Sequence, residues 1–141
     1  MKKILFCINL SLLLVLAVLE SASADVLIIT NPDVNETSLT KRDIEEIFLG
    51  KKGQWQDISK IRPVLMDEVE VLKEFLEIYV NKTQNQYINH WKRMLFTGKG
   101  KPPIRFKSSA EVVAYVSETA GAIGFVPAGT SVENVNTINV R

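Results

Sequence analysis

One segment of the chain combines positive charge, hydroxyl groups and the start of a predicted helix. Lys99 and Lys101 lie in it, and Ser108 and Ser109 end it. The first amides of a helix have no acceptor within the helix, and the helix dipole adds positive potential there, so the segment is a candidate anion site. An ordinary solvated loop that ends in an N-cap has the same composition, and this simpler interpretation is favoured.

An acidic run precedes another predicted helix and contains Asp67, Glu68 and Glu70. Two carboxylates can act as general acid and base when a cleft holds them. However, Asp67 and Glu70 also have the spacing of a capping box, in which two side chains bond to backbone amides of the first turn. We therefore predict Asp67 to be an N-cap and a candidate ligand contact, and not a catalytic residue.

The residue types that usually perform catalysis or bind metals are scarce. His90 is the only histidine and Cys7 is the only cysteine, and no nucleophile motif is present. A metal site needs several such ligands close together, so His90 is predicted to lie at the surface or at the edge of the core. The sequence therefore predicts no metal, no cofactor and no enzymatic activity.

The first 24 residues have the pattern of a secretory signal peptide. Lys2 and Lys3 precede an apolar run over residues 4–19, and residues 22–24 read Ala-Ser-Ala, a small-residue cleavage site. The apolar run is shorter than the roughly 20 residues that span a bilayer, which argues against a membrane anchor. We therefore predict cleavage before Asp25 and a location in a bacterial periplasm.

Residues 25–141 are predicted to form one domain. This part has no cysteine and therefore no disulfide, and no repeat or flexible linker divides it. Its basic and acidic residues are equal in number, which gives no overall indication of a nucleic acid or an anionic membrane as partner.

Short apolar runs and helix-start patterns predict an α/β domain. The strands are predicted over residues 26–30, 61–66, 122–126 and 135–140. Pro63 places the second of these at a sheet edge or at a bulge, because proline lacks the amide that a central strand uses.

Four helices are predicted from capping pairs, which are Thr40 with Asp43, Asp67 with Glu70, Thr83 with Gln86, and Ser108 with Glu111. On the third of these helices, the side formed by Ile88, Trp91 and Leu95 is predicted to face the core, with Tyr87 and Met94 at its margin. The order of strands and helices indicates a mixed β-sheet flanked by helices.

Three segments resemble the substrate-binding proteins of phosphate ABC transporters. They are residues 47–51 (IFLGK) with Trp55 shortly after, residues 119–126 (TAGAIGFV), and residues 96–99 (FTGK) followed by two prolines. The resemblance implies a type 2 periplasmic-binding-protein-like fold. Gly121 and Gly124 lie in the second segment, where glycine permits a tight turn or a close approach. Gly121 is therefore a candidate ligand contact, although a structural role is favoured for both glycines.

The resemblance implies only half of such a protein. Family members close two lobes around their ligand, and residues 25–141 provide the length of roughly one lobe. The family's phosphate turn, Arg-x-Asp-Gly-Ser-Gly-Thr, aligns with residues 65–71, where only Asp67 matches. Glu68 and Glu70 would repel a phosphate there. The phosphate site of the family is therefore not expected to be retained.

Two hypotheses follow. The first is a non-catalytic periplasmic solute-binding protein, reduced to one lobe, that binds phosphate or another small oxyanion weakly or as a homodimer through helix N-termini and the basic loop over residues 99–109. The second is an accessory or sensory domain that has lost the ligand turn and docks onto a membrane transporter or sensor protein, independently of any ligand. A nucleic acid partner is not expected under either hypothesis.

Overall fold

The computed structural model describes residues 25–141. The predicted signal peptide over residues 1–24 lies outside the described residues, so its cleavage stays a prediction. The strands are β1 (Val26–Thr30), β2 (Ser38–Leu39), β3 (Arg62–Met66), β4 (Ile104–Phe106), β5 (Ala122–Pro127), β6 (Asn136–Thr137) and β7 (Asn139–Val140). The helices are α1 (Lys41–Phe48), α2 (Val69–Phe75), which continues as a π-helix over Leu76–Val80, α3 (Gln84–Phe96) and α4 (Ser109–Glu118).

The main sheet is mixed and has the strand order β4-β3-β5-β1-β6. Strand β3 runs parallel to β4 and to β5, whereas β1 is antiparallel to β5 and β6. Strands β2 and β7 form a separate parallel pair. The predicted fold class, a mixed β-sheet flanked by helices, is confirmed.

Helices cover both faces of the sheet. The position that a Cβ would take on Gly124 of β5 lies 2.8 Å from Val64 and 3.1 Å from Val112, so α4 packs on this face where no side chain intervenes. Because successive residues of a strand point to opposite faces, Phe125 points to the other face. There its ring stacks on Phe75 of α2 with 3.8 Å between centroids.

The position of Pro63 differs from the prediction. The strand that contains it is not an edge strand, because β3 lies between β4 and β5. Pro63 pairs with Ile123 of β5, but pairing with β4 begins one residue later, at Val64. The missing amide of proline is therefore tolerated inside the sheet, because β4 pairs with β3 only after this residue.

The core-facing side of α3 was predicted only in part, because Trp91 is buried as expected but Ile88 and Leu95 are not. Tyr87 and Trp91 are buried, whereas Ile88 is 38% exposed and Leu95 is 51% exposed. Apolar residues lie on two sides of this helix, and periodicity alone does not tell which side meets the core. The side that faces the core is the one with Tyr87, because its hydroxyl donates a hydrogen bond to the backbone oxygen of Phe48 at 2.9 Å.

Three of the four predicted capping boxes are present, at Thr40, Thr83 and Ser108. The fourth is wrong, because α2 begins one residue later than predicted and its N-cap is Glu68 instead of Asp67. Two short strands, β2 and β4, were not predicted, and the strand predicted over residues 135–140 is divided into β6 and β7 around the buried Ile138. Among residues 25–141, no helix is long and apolar enough to cross a membrane.

The capping box of α1 predicts a pH-dependent stability. The pKa of Asp43 lies below its usual value, mainly because its carboxylate accepts a hydrogen bond from the Thr40 amide at 2.9 Å. Partial burial opposes this shift, and the Thr40 hydroxyl and the Lys52 ammonium add to it. A carboxyl whose pKa is lowered by folding stabilises the fold above its unfolded-state pKa, and this stabilisation is lost as pH falls through the folded-state pKa.

We therefore expect the wild-type chain to exceed Asp43→Asn in unfolding free energy by a constant amount above about pH 5, and by less as the pH falls below about 4. Urea unfolding of both proteins at several pH values measures this difference. A difference that does not change between neutral pH and pH 3 would contradict the assigned role of the carboxylate.

Candidate functional site

The carboxyl ends of the parallel strands form one edge of the main sheet, which we call the carboxyl edge. Met66 of β3 is paired with Phe106 of β4, so the next residues along each strand emerge side by side. Asp67 follows β3 directly, and Ser108 caps α4 two residues after β4. In open α/β sheets, ligands generally bind outside the carboxyl ends of strands. This edge is therefore the candidate site.

Asp67 is held at the carboxyl edge by two contacts with β4. Its amide donates to the backbone oxygen of Phe106 at 2.7 Å, and its carboxylate accepts a hydrogen bond from the Arg105 guanidinium at 3.4 Å. Both side chains remain more than one third exposed. Sequence reasoning missed Arg105 because the strand that carries it has only three residues and no apolar alternation.

At the N-terminus of α4 the capping box is complete, but the first two backbone amides have no acceptor within the helix. The Ser108 hydroxyl accepts from the Glu111 amide, and the Glu111 carboxylate accepts from the Ser108 amide, both at 3.2 Å. Ser109 and Ala110 provide the first two amides of the helix, which have no acceptor within it. Lys107 is exposed beside them, and Ser109 is half-buried. A small anion could therefore accept hydrogen bonds from these amides and from the Ser109 hydroxyl next to a lysine.

The N-terminus of α2 is already filled by a carboxylate of the chain itself. Glu68 accepts a hydrogen bond from the Val71 amide at 3.0 Å and lies 3.4 Å from the Glu70 amide. A bound oxyanion would use the same amides. The helix start of α4 differs because its first two amides, those of Ser109 and Ala110, lie next to a lysine and no described carboxylate of the chain accepts from them.

The six predicted site residues do not form one cluster. Asp67, Ser108 and Ser109 meet at the carboxyl edge, whereas Lys99 and Lys101 precede β4 and so lie at the opposite end of that strand. The Lys99 amide donates to the Met94 oxygen at 2.9 Å, which folds the basic loop back on the end of α3. The expectation that one continuous loop over residues 99–109 forms a single anion site is therefore not met, because a strand separates its two ends.

Gly121 lies just before β5, at the amino end of the parallel strands and away from the carboxyl edge. Its backbone oxygen accepts from the Trp55 indole at 3.1 Å and from the Arg62 amide at 3.0 Å. Gly121 also lines a small cavity of about 150 Å³, whose lining includes two acidic and two basic residues: Asp33, Asp57, Lys60 and Arg62. The balanced charges of this cavity give no preference for an anion.

His90 has a structural contact. Its Nε2 atom donates to the backbone oxygen of Leu49 at 2.9 Å, which ties α3 to the end of α1. Within residues 25–141, no group of three or more histidine, cysteine, aspartate or glutamate side chains is placed to hold a metal ion.

The fold is that of one lobe of a periplasmic-binding-protein-like domain. The solved structures to which the chain is similar include an ABC-type phosphate transport receptor from Vibrio cholerae, with a TM-score of 0.65 at 16% identity over 83% of this chain and 46% of that one. A putative phosphate ABC transporter substrate-binding protein from Clostridium perfringens, with bound phosphate, gives a TM-score of 0.66 at 19% identity over 83% and 45%. PstS from Borrelia burgdorferi gives 0.62 at 20% identity over 84% and 47%.

The chain thus spans less than half of the length of these structures. No family model and no curated protein matches it. The resemblance seen in three short sequence segments therefore extends to the tertiary fold over most of the chain, at identities that are informative about fold alone.

Proposed function

We propose that this chain is a periplasmic solute-binding protein of the phosphate-receptor type, reduced to one lobe, that binds a small oxyanion such as phosphate at the carboxyl edge. The observation that carries the proposal is the N-terminus of α4, where the Ser109 and Ala110 amides adjoin Lys107 at the edge where α/β sheets bind ligands. The likeness to a phosphate-bound structure supports this choice of ligand class.

A single lobe covers a ligand from one side only, so the affinity is expected to be low. Asp67 lowers it further, because its carboxylate neutralises Arg105, which would otherwise attract an anion. A second copy of the chain would supply the missing lobe, and we propose this homodimer as the form that encloses a ligand. Delivery to a membrane ABC transporter and export to the periplasm belong to the same proposal.

Calorimetric titration of the processed protein with phosphate and sulfate tests the proposal. We expect binding at millimolar ligand, and a loss of about fivefold or more in affinity for Lys107→Gln, because one charge-assisted contact disappears. Lys60→Gln is the matched control, since Lys60 lies at the opposite edge of the sheet and is expected to leave the affinity unchanged. The absence of heat at millimolar ligand, or equal losses in both variants, would refute the proposal.

A second candidate function is a ligand-independent accessory domain that docks onto a membrane transporter or sensor protein. The observation that favours it is Glu68, whose carboxylate bonds to the α2 amides that an anion would use. Because a carboxylate of the chain itself accepts these hydrogen bonds, the N-terminus of this helix does not need a bound anion. Crosslinking in cells tests this function, which predicts a partner whose recovery does not depend on phosphate.

Removing Glu68 distinguishes the two functions. In Glu68→Ala the α2 amides are free and one negative charge is gone, so any phosphate binding that depends on α2 is expected to rise by about twofold to fivefold or to appear for the first time. Stability is expected to fall by about 1 kcal/mol, because the N-cap is lost. If wild type binds phosphate and the variant changes little, the site is at α4. If only the variant binds phosphate, the accessory function is supported.

A further inference from the structure

The charges of this chain are strongly segregated. Residues 78–110 contain seven lysines and arginines and no aspartate or glutamate. Because residues 25–141 have equal numbers of basic and acidic residues, the remainder of the described chain has an excess of seven acidic residues. Such an asymmetry indicates a surface that meets a negatively charged partner.

Helix α3 occupies the first half of this basic segment and exposes one side to solvent. Its inner side is fixed by Tyr87 and His90, which donate to the backbone oxygens of Phe48 and Leu49. Ile88, Lys92, Leu95 and Phe96 share the outer side, because they follow one another at intervals of one and two helical turns. Phe96 is 95% exposed and Leu95 is 51% exposed.

Three exposed cations lie close in sequence to these exposed apolar side chains. Lys92 and Arg93 lie on the outer part of α3, and the turn at Gly98 brings the Lys99 backbone within 2.9 Å of the Met94 oxygen, beside the last helical turn. Among the described residues, the only ion pair of the basic segment joins Arg105 to Asp67. No described carboxylate neutralises the cations around Phe96. We call Ile88, Lys92, Arg93, Leu95, Phe96 and Lys99 the α3 surface.

We propose that the α3 surface docks onto a lipid bilayer that carries anionic headgroups. A helix side that mixes Phe and Leu with Lys and Arg is typical of helices that lie in the membrane interface, where the apolar side chains enter the acyl boundary and the cations contact headgroup phosphates. The surface is the convex side of a helix, so it does not enclose a small anion. Phe96 projects from the surface, and a lipid bilayer can accept this side chain without a preformed pocket. This inference goes beyond the proposed solute binding and does not depend on it.

Vesicle sedimentation tests the proposal with the processed protein, so that the apolar residues 4–19 do not themselves bind lipid. We expect binding to vesicles that contain phosphatidylglycerol, weak or no binding to pure phosphatidylcholine, and release by high salt. The double variant Lys92→Gln/Arg93→Gln is expected to bind at least tenfold more weakly, because each cation near an anionic surface contributes about 1 kcal/mol. Phe96→Ser is expected to lose about tenfold as well.

Two control variants test whether a loss of vesicle binding is specific to the α3 surface. Ile58→Ser removes an apolar side chain that is 78% exposed, and Lys60→Gln removes an exposed cation, both outside the basic segment. Neither control is expected to change binding, and all variants are expected to keep the unfolding midpoint of the wild type. In Phe96→Trp, the new indole is expected to shift its fluorescence to the blue on anionic vesicles. Equal binding to neutral vesicles, equal losses in the controls, or binding only to an acidic protein or a polynucleotide would overturn the proposal.

Discussion

Gly121→Ala is expected to lower the free energy of unfolding by more than about 3 kcal/mol. A Cβ at this position would lie 2.1 Å from the Lys60 backbone oxygen, and the backbone has φ +76°, which an alanine tolerates poorly. The left-handed conformation alone costs about 1–2 kcal/mol. Moving the backbone to relieve the contact would also weaken the two hydrogen bonds that the Gly121 oxygen accepts from Trp55 and Arg62, at about 1 kcal/mol each.

Urea unfolding measures this loss, and Gly129→Ala is the matched control. Gly129 also has a positive φ, +88°, but nothing lies within 4 Å of its Cβ position. The control is therefore expected to lose only about 1–2 kcal/mol. If the Gly121 variant does not fold at all, Trp55→Phe still tests the hydrogen bond to the Gly121 oxygen, and it is expected to cost more than about 1–2 kcal/mol, because it removes the indole donor and also leaves a cavity at a buried site. Equal losses in the two glycine variants would contradict the close contact with Lys60.

Phe75→Ala is expected to destabilise the fold by about 3–5 kcal/mol. Phe75 is completely buried at the centre of an aromatic cluster. Its ring stacks on Phe125 at 3.8 Å and meets the edge of Phe48 at 4.8 Å between centroids. Truncation leaves a cavity between α1, α2 and the sheet that rigid neighbours do not fill.

Phe96→Ala is the control for this second substitution, because it removes the same side chain from a position that is 95% exposed. It is expected to change stability by less than about 0.5 kcal/mol. Thermal and urea unfolding of both variants provide the comparison. A small loss for Phe75, or a loss for Phe96 as large as that for Phe75, would show that α2 or α3 packs differently from the arrangement described.

The two phenylalanines also show that local sequence does not distinguish a core side chain from an exposed one. Both lie on helices beside other apolar residues, and both fit an apolar stripe. Phe75 is buried because Phe125 of β5 lies opposite it, whereas Phe96 on the outer side of α3 is 95% exposed. The overall charge balance is misleading for a similar reason, since equal totals conceal a basic segment that begins only after Glu77.

Features that depend only on neighbouring residues could be predicted from the amino-acid sequence. Strand β1, the capping boxes at Thr40, Thr83 and Ser108, and the α/β class were predicted because β-branched runs and capping side chains act within a few residues. The cap of α2 was displaced by one residue because Asp67 is held by β4 through the Phe106 oxygen and Arg105, which leaves the capping position to Glu68.

Which of the predicted site residues lie together depends instead on how the strands and helices pack. The three-residue strand β4 is stabilised by its pairing with β3 more than by its own side chains, so the sequence did not reveal it. Once formed, this strand places Lys99 and Lys101 at one end and Ser108 and Ser109 at the other. Similarly, residue 121 must be a glycine because the Lys60 backbone, which is distant in sequence, leaves no room for a Cβ. Contacts between distant residues arise from the packing of whole elements, and no local pattern encodes them.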